Sequence, residues 1–516
     1  MTISKFINNL LIGLTLLAFL AQLIIDFSSV NVATSTIILF SGLSTILYFR
    51  WSKALETNPL SSFAILGFCI TSILGALIVQ SASGLAVSAD LRQPLVTFPM
   101  LAIYQLTAIL AHCLYRLITK SSLTDKPSLL QITLNSLMLF DLPTVSVLWI
   151  VGIFGLFCVL LSHVLPVANA FSYLAWAPFL IPIYSLKNGP SYCKINTNYL
   201  FLVLHTSVIT LLALFFNARG MLLTGVATVT LILILNAIRS QKVVTANFIL
   251  RICVALFIGV ALAFPATDLV KAMAVARADR GKISPIKLIE NTIEDFKNPE
   301  KLEKYTKLAM AEKFRSAYDE SYITNPLFAR IITTKFHDNA MYFASKTSDR
   351  DDEDIINVTS KFFWIALPQP FLDILKIDVK KDDLQFSIGD LLANKVVATP
   401  LGGLRTGSIF GQGWAIFSYL FPLVYFGMCF ILFAAIDVFS KRETNSVIVI
   451  SVIGMLNLWP NFIFCITAES FHHLFIGVIR GVFQSVLLYF IAFSIARFLS
   501  KLFTKHTTLK SSLLVK

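Results

Sequence analysis

The stretch FARIITTKFHDNA, residues 328–340, gathers four ionisable side chains in an otherwise apolar chain: Arg330, Lys335, His337 and Asp338. A guanidinium group binds phosphate or carboxylate through a planar fork of N–H donors and keeps its charge at physiological pH. An imidazole or a carboxylate beside it can accept a proton from a hydroxyl group. The stretch therefore predicts a site for an anionic substrate, with His337 and Asp338 as catalytic groups.

Three further arginines are predicted to face the same side of a membrane as Arg330: Arg219, Arg405 and Arg480. Arg405 lies in the glycine-rich run 398–414, where the backbone can approach an anion closely. Arg480 follows Glu469 and His473 at helical spacing, which predicts a polar stripe at the start of the last span. Ionisable residues within spans are costly and are therefore candidates for function. These arginines and His473 are predicted to bind substrate.

The elements that position these residues must lie in a membrane, because 56% of the 516 residues are hydrophobic and only 14% are charged. A spanning helix needs about 20 mostly apolar residues. Twelve segments meet this requirement: 6–27, 30–49, 62–82, 94–115, 144–164, 166–186, 199–216, 220–238, 247–266, 411–437, 445–467 and 472–498. The first is predicted to be a retained helix and not a signal peptide. The predicted fold is an all-α polytopic membrane protein.

Charge predicts its orientation. With a cytoplasmic N-terminus, the short outer loops hold only Arg92 and Arg219, whereas the cytoplasmic loops and termini hold seventeen Lys and Arg residues. These cations would meet anionic lipid, which explains the net charge of +13 without a nucleic-acid partner. The cysteines show no disulfide or metal-ligand spacing, so neither a metal nor another cofactor is predicted.

Three parts of the chain are predicted: an N-terminal bundle of about nine helices (1–266), a large outer loop domain (267–410), and about three C-terminal helices with a basic cytoplasmic tail (411–516). The loop carries 21 of the 29 Asp and Glu residues and 21 Lys and Arg residues, so it is nearly neutral. Long loops in compact proteins are usually functional. The loop and the arginines are therefore predicted to face the periplasm.

Local patterns predict a mainly helical loop. Residues 284–318 are predicted to be helical with a break at Asn298 and Pro299. A second helix is predicted over 326–345, with one apolar and one polar face. Residues 361–375 have the length of an interfacial segment, which Pro368 and Pro370 should interrupt. The acidic run 349–354 is predicted to be a solvated charge cluster.

The runs FARIITTKFHDNAMYF, FFWIALPQPFLDIL and LGGLRTGSIFGQGWAIFSYLFPLVYFGM, together with the layout of many helices and one long late loop, resemble the bacterial oligosaccharide repeat-unit polymerases of the Wzy type. The resemblance covers mainly 326–440. It implies that a glycan on undecaprenyl pyrophosphate is transferred, at the periplasmic face of the inner membrane, to the terminal sugar of another lipid-linked unit. Undecaprenyl pyrophosphate is then released.

The resemblance also implies that Arg residues bind the pyrophosphate and that neither a metal nor a nucleotide sugar is required. Arg330 and Arg405 are carried over from the matching runs, while Arg219 and Arg480 are added by position. Implied partners are lipid-linked glycans, membrane lipid, a chain-length regulator and a flippase.

Two alternatives stay open. An O-antigen ligase shares this layout and donor but transfers the glycan to lipid A core, and His337 would then be its base. A lipid-linked oligosaccharide flippase would be a transporter and not an enzyme, but the two halves of the sequence show none of the repeats common in transporters.

Overall fold

The structure of the protein is a computed structural model, which describes residues 1–121, 129–162, 164–184, 199–239, 242–277, 282–313, 318–365, 367, 369–442 and 448–513. Within these residues, eight helical stretches are long and apolar enough to cross a membrane: Ile3–Ile25, Ser29–Ser52, Pro59–Ala82, Pro94–Thr119, Val167–Tyr184, Gly220–Arg239, Ile409–Asp437 and Val482–Leu502. Shorter apolar helices cover Val145–Leu161, Tyr199–Phe215 and Ala246–Ala255. The protein is a helical polytopic membrane protein, as predicted.

The α-helices are numbered in chain order: α1 (Ile3–Ile25), α2 (Ser29–Ser52), α3 (Ala54–Thr57), α4 (Pro59–Phe68), α5 (Gly75–Ala82), α6 (Pro94–Ser121), α7 (Leu129–Ser136), α8 (Val145–Leu161), α9 (Ile181–Tyr184), α10 (Tyr199–Phe215), α11 (Gly220–Arg239), α12 (Ala246–Ala276), α13 (Pro285–Phe296), α14 (Pro299–Lys313), α15 (Thr334–Ala344), α16 (Asp349–Trp364), α17 (Gln369–Ile374), α18 (Ile388–Val397), α19 (Ile409–Phe417), α20 (Phe421–Asp437), α21 (Val452–Leu456), α22 (Leu458–Phe464), α23 (Phe471–Ile476) and α24 (Val482–Leu513).

Other elements interrupt or join these helices. The 3₁₀ segments are Pro166–Leu180, Phe328–Arg330, Lys381–Leu384 and Ser418–Leu420. The π-helical segments are Cys69–Leu74, between α4 and α5, and Gly477–Gly481, between α23 and α24. Strand β1 (Ser440–Arg442) pairs antiparallel with β2 (Ile448–Ile450), and Lys441 lies opposite Val449.

Several predicted boundaries differ from the structure, and the helix predicted over 326–345 begins only at Thr334. Residues 445–467 were predicted to form one span, which is wrong: they contain β2, α21 and α22, with the Ser451 hydroxyl capping α21 at Gly454 N (3.1 Å). Their apolar content reflects burial in a broken segment, which hydropathy does not distinguish from a continuous helix. The ninth span was predicted to end at residue 266, but helix α12 contains Pro265 and continues to Ala276.

The segment predicted as the loop domain is largely helical, and its predicted helix break is confirmed because α13 ends at Phe296 and α14 begins at Pro299. A second break falls between α16 and α17, beside Pro370, while Pro368 lies outside the described residues. The acidic run 349–354 is more than a charge cluster, because it opens α16. Ser348 and Asp351 form a capping box there, and acidic groups favour a helix N-terminus.

Helix α15 was predicted to present a polar face to its surroundings, and this is wrong. Every residue from Thr334 to Met341 is buried. The helix docks on the π-helical segment of the third span, where Thr71 O accepts a hydrogen bond from Thr333 N (2.9 Å) and Ser72 O accepts one from the Thr334 hydroxyl (2.9 Å). A π segment alters the regular backbone pairing of a helix. Here the incoming chain bonds to carbonyl groups within it.

Candidate functional site

His337 lies in the interior with both ring nitrogens bonded. Its Nδ1 lies 2.8 Å from Ser408 Oγ, its Nε2 lies 3.1 Å from Ser72 Oγ, and its ring packs edge-on against Phe410. Burial lowers the pKa of His337 from 6.5 to about 3, so the imidazole is neutral near pH 7. The side chain is 2% exposed. Predicted as a catalytic base, His337 instead joins α15 to the third span and to the chain before α19.

Asp338 is also enclosed. Its carboxylate accepts hydrogen bonds from Arg92 N (2.7 Å), Gln93 N (3.1 Å) and the Thr97 hydroxyl (2.7 Å), and Lys335 Nζ lies 3.9 Å away. These donors belong to the first turn of α6 and the residues before it, where N–H groups lack helical partners. Asp338 therefore fixes the start of α6 against α15, and its enclosure leaves it no access to a substrate.

Arg405 forms an ion pair with a buried carboxylate. Its Nη1 lies 2.9 Å from Asp390 Oδ1, and its guanidinium carbon lies 5.6 Å from the centre of the Tyr318 ring. Burial alone would raise the pKa of Asp390, but hydrogen bonds from the Ser387, Leu404 and Arg405 backbones and from the Arg405 side chain lower it overall. The guanidinium predicted to bind substrate thus stabilises the turn around α18.

The glycines around Arg405 permit close packing, which was predicted as a cradle for an anion. A Cβ at Gly407 would lie 2.7 Å from Glu469 O, and one at Gly411 would lie 2.5 Å from the backbone of Ala340. Such distances exclude larger side chains unless the backbone shifts. Close packing of Gly407 and Gly411 against neighbouring backbone thus explains why glycine occupies these two positions.

Three other arginines share one region, here called the arginine cluster: Arg219, Arg277 and Arg330. Burial, together with the positive charges of Arg330 and Arg277, lowers the pKa of Arg219 to about 10. Among the described residues, none of the three side chains forms a salt bridge or a side-chain hydrogen bond. Like charges that lie close together repel one another, and a bound anion would relieve this repulsion. The arginine cluster is therefore suited to bind an anion.

Helix α12 positions the cluster. Arg277 follows its last turn, as the C-cap residue. The turn before Arg219 contains Asn217, which adopts a left-handed conformation (φ 50°) that Asn tolerates, and its Nδ2 donates to Met273 O (2.8 Å). The turn carrying Arg330 is fixed by Asn325, whose Nδ2 donates to the Thr267 hydroxyl (3.2 Å). Both turns are thereby attached to one helix.

A cleft of about 460 Å³ lies between α20, α22 and the helix that begins at α23. Its walls are mainly apolar and include Leu432, Phe464 and Val478, but Glu469 and His473 also line it. The charge of Arg330 acts on Glu469 and opposes the rise in its pKa. The cleft and the arginine cluster are thus electrostatically connected through these two residues.

Glu469 is the acidic group of this site. Burial raises its pKa, the negative charge of Glu320 adds to this effect, and His473 and Arg330 oppose it. His473 lies exposed on α23, with Nδ1 3.4 Å from Ser470 Oγ. The structure therefore brings together two predicted binding residues, His473 and Arg330, at a carboxylate that was noted only as part of a polar stripe.

Arg480 is placed apart from this group. It is exposed in the π-helical segment before α24, and its Nε donates to Gln484 Oε1 (3.0 Å). It does not line the cleft, although its neighbours Gly477 and Gly481 do. The extra residue of a π turn changes the angular spacing along a helix, so the predicted stripe does not run straight from Glu469 to Arg480.

Sequence reasoning did not find Arg277, because the ninth span was ended at residue 266 and Arg277 was counted with the loop. The signal was present: residues 267–276 are still rich in Ala and Val, so the helix and its terminal cation could have been extended to 277. Within the described residues, no group of three or more His, Cys, Asp or Glu side chains is arranged to hold a metal ion.

The fold and site define the class of the protein: a helical polytopic membrane protein with an arginine cluster and a mainly apolar cleft, which are linked electrostatically through Arg330 and Glu469. Comparisons with protein families, with curated proteins and with solved structures gave no match. Its function is therefore inferred from the geometry of the site.

Proposed function

We propose that this protein is a metal-independent glycosyltransferase that polymerises undecaprenyl-pyrophosphate-linked oligosaccharide repeat units at the periplasmic face of the bacterial inner membrane. The single observation that carries the proposal is the arginine cluster. Three guanidinium groups without a salt bridge in the described chain carry the charge and the hydrogen-bond donors that a diphosphate requires. A product of this activity would be a longer surface polysaccharide.

The cleft supports the same substrate class. Its mainly apolar walls suit an isoprenoid chain, because burying hydrocarbon is favourable, and Glu469 and His473 supply a polar margin next to Arg330. A lipid-linked diphosphate has both parts, an apolar tail and an anionic head. The positive loop charge on the opposite face supports a periplasmic location for the cluster.

In this mechanism the anomeric carbon of the donor glycan bonds to a hydroxyl oxygen of the acceptor. The bond between that carbon and the pyrophosphate oxygen breaks, and the electron pair leaves with undecaprenyl pyrophosphate. Negative charge thus grows on the leaving group in the transition state. Guanidinium groups at this place stabilise the growing negative charge, which lowers the barrier.

The test uses purified protein in detergent with lipid-linked repeat units. Wild-type protein should produce a ladder of longer glycans. Arg219→Ala, Arg277→Ala and Arg330→Ala should each lower the elongation rate by about 10-fold to 100-fold, since one charge-assisted hydrogen bond contributes about 1.5–3 kcal/mol. The thermal unfolding midpoint should not fall, because removing a like charge relieves repulsion.

Arg350→Ala is the matched control, since Arg350 is an exposed arginine on α16 outside the cluster. It should elongate glycans at the wild-type rate. If all three cluster variants elongated glycans at the wild-type rate, the assignment of the arginine cluster would be refuted. A reporter fused near residue 340 that reports a cytoplasmic location would refute the periplasmic site.

The same experiment distinguishes the alternatives. A ligase would consume the donor only when lipid A core is added, whereas a flippase would change the sidedness of the substrate in vesicles without lengthening it. Either result would replace the polymerase proposal. The enclosure of His337 argues against the version of the ligase that uses this histidine as its base.

A further inference from the structure

Glu469 differs from the other acids that are buried in the structure. Asp338 and Asp390 each accept several hydrogen bonds, and Asp437 accepts bonds from Asn58 and from the Ser61 backbone and hydroxyl. Among the described residues, the carboxylate of Glu469 forms neither a hydrogen bond nor an ion pair. It nevertheless lines the cleft. A half-buried acid that is left without donors at an opening is a functional candidate.

The backbone around Glu469 is held firmly. Ala468 O accepts a hydrogen bond from Ile409 N (2.9 Å), and Gly407 packs closely against Glu469 O. On the other side, the Ser470 hydroxyl caps α23 at His473 N (3.2 Å) and Phe471 N donates to Gln412 Oε1 (2.9 Å). The carboxylate is therefore carried on a fixed support, as a group that must meet a reacting atom requires.

Three charged or titratable side chains, from different segments of the chain, act on Glu469. Arg330 precedes α15, His473 lies one turn along α23, and Glu320 lies in the segment before the Arg330 turn, with its Oε1 accepting from Thr406 N (2.9 Å). Burial and Glu320 raise the pKa of Glu469, while His473 and Arg330 oppose this. A carboxylate with a raised pKa is a stronger base than an exposed one.

We propose that Glu469 is the general base that takes the proton of the acceptor hydroxyl while the arginine cluster holds the departing pyrophosphate. This inference rests on the proposed function. As the new bond forms between the hydroxyl oxygen and the anomeric carbon, the O–H electron pair remains with that oxygen and the proton moves to Glu469. The carboxyl group later releases the proton to water. Arg330 belongs to the arginine cluster and also acts electrostatically on Glu469, so it links the group that binds the donor with the proposed base.

The test compares Glu469→Gln and Glu469→Asp with the wild type in the elongation assay. Glu469→Gln should lower the rate by about 100-fold or more, the usual contribution of general-base catalysis. Glu469→Asp should recover part of the rate. Binding of undecaprenyl pyrophosphate in detergent should be unchanged or tighter in Glu469→Gln, because a negative charge near Arg330 is lost. Glu353→Gln, an exposed acid on α16, is the matched control and should behave as wild type.

A pH profile separates a base from a structural group. The wild-type rate should fall as the pH drops through the raised pKa of Glu469, because only the carboxylate accepts a proton. This acidic limb should lie above the usual Glu value of about 4.3 and disappear in Glu469→Gln. It should persist in His473→Asn, which removes the neighbouring imidazole.

The outcomes separate the two proposals. If the wild type elongates glycans and Glu469→Gln does so at the same rate, or keeps the acidic limb, the role of Glu469 is refuted while the function stands. If the wild type elongates nothing, the proposed function itself is refuted, and the role of Glu469 with it.

Discussion

The surroundings of α15 and the arginine cluster both contain ionisable residues, but these residues differ in how they are bonded. At α15, Lys335, His337 and Asp338 are buried, and their polar groups are bonded or ion-paired. In the arginine cluster, the guanidinium groups are brought together without a salt bridge in the described part of the chain. Satisfied polar groups hold a structure together, whereas unsatisfied charges have interaction energy available for a ligand. Whether an ionisable side chain is bonded within the protein thus separates structural residues from candidate binding residues better than residue type does.

The strongest way to break this comparison is to remove an acceptor at α15. Asp338→Asn should destabilise the protein by about 3 kcal/mol, because the amide cannot accept from all three donors at the start of α6 and buried donors are left unpaired. The thermal unfolding midpoint in detergent measures this loss. Asp373→Asn is the control, since Asp373 is exposed and accepts only from Gln369 Nε2 in the described structure, and its midpoint should not move.

If Asp338→Asn unfolded at the wild-type temperature but stopped elongation, Asp338 would belong to the site after all. The contrast between a structural α15 and a binding arginine cluster would then be wrong for Asp338. A protein that is lost from the membrane agrees with the expected loss of stability.

Arg405 sharpens the comparison, because the sequence grouped it with Arg330 and the structure pairs it with Asp390. Arg405→Ala should destabilise the protein by about 2 kcal/mol, less than a fully buried pair because the guanidinium is partly exposed. Asp390 keeps its backbone donors at Ser387 and Leu404. Elongation per folded molecule should stay within a few-fold of wild type, in contrast to Arg330→Ala.

The measurement for Arg405→Ala is the elongation rate divided by the fraction of folded protein, which is read from the unfolding curve at the assay temperature. Arg405→Lys should recover part of the stability, because it restores a positive charge but not the planar fork. A large loss of rate at unchanged stability would return Arg405 to the binding site, as the sequence predicted.

Local signals allowed parts of the fold to be predicted from the sequence. The break before Pro299 follows from the restriction that proline imposes on the residue before it, and the spans follow from apolar content. The burial of α15 could not be predicted, because it depends on carbonyl groups of the π-helical segment at Thr71 and Ser72, far away in the chain. Local periodicity contains no information about such a partner.

The candidate site was predicted in part for the same reason. Arg219 and Arg330 were identified by charge and orientation, and the structure brings them within electrostatic range of each other. Arg405 could not be separated from them, because its partner Asp390 lies on a different turn and no sequence rule pairs the two. The sequence placed Glu469 only in a stripe at helical spacing with His473 and Arg480. Its lack of hydrogen-bond donors depends on how the described residues fold.

The smallest expected effect concerns the pH dependence of stability. The pKa of His337 is lowered from 6.5 to about 3 in the folded protein, so the unfolded chain binds the proton more tightly. Its contribution to stability is complete above pH 6.5 and is lost as the pH falls from there towards 3. The loss has a limiting slope of about 1.4 kcal/mol per pH unit.

His337→Gln should lower the unfolding midpoint at pH 7, through altered bonding to Ser72 and Ser408, but should show a shallower fall of the midpoint between pH 6.5 and 5. His473→Gln, which changes an exposed histidine, should keep the wild-type slope. Equal slopes in His337→Gln and wild type would mean that His337 reaches solvent in the folded protein, and the division between a closed α15 and an open arginine cluster would no longer hold.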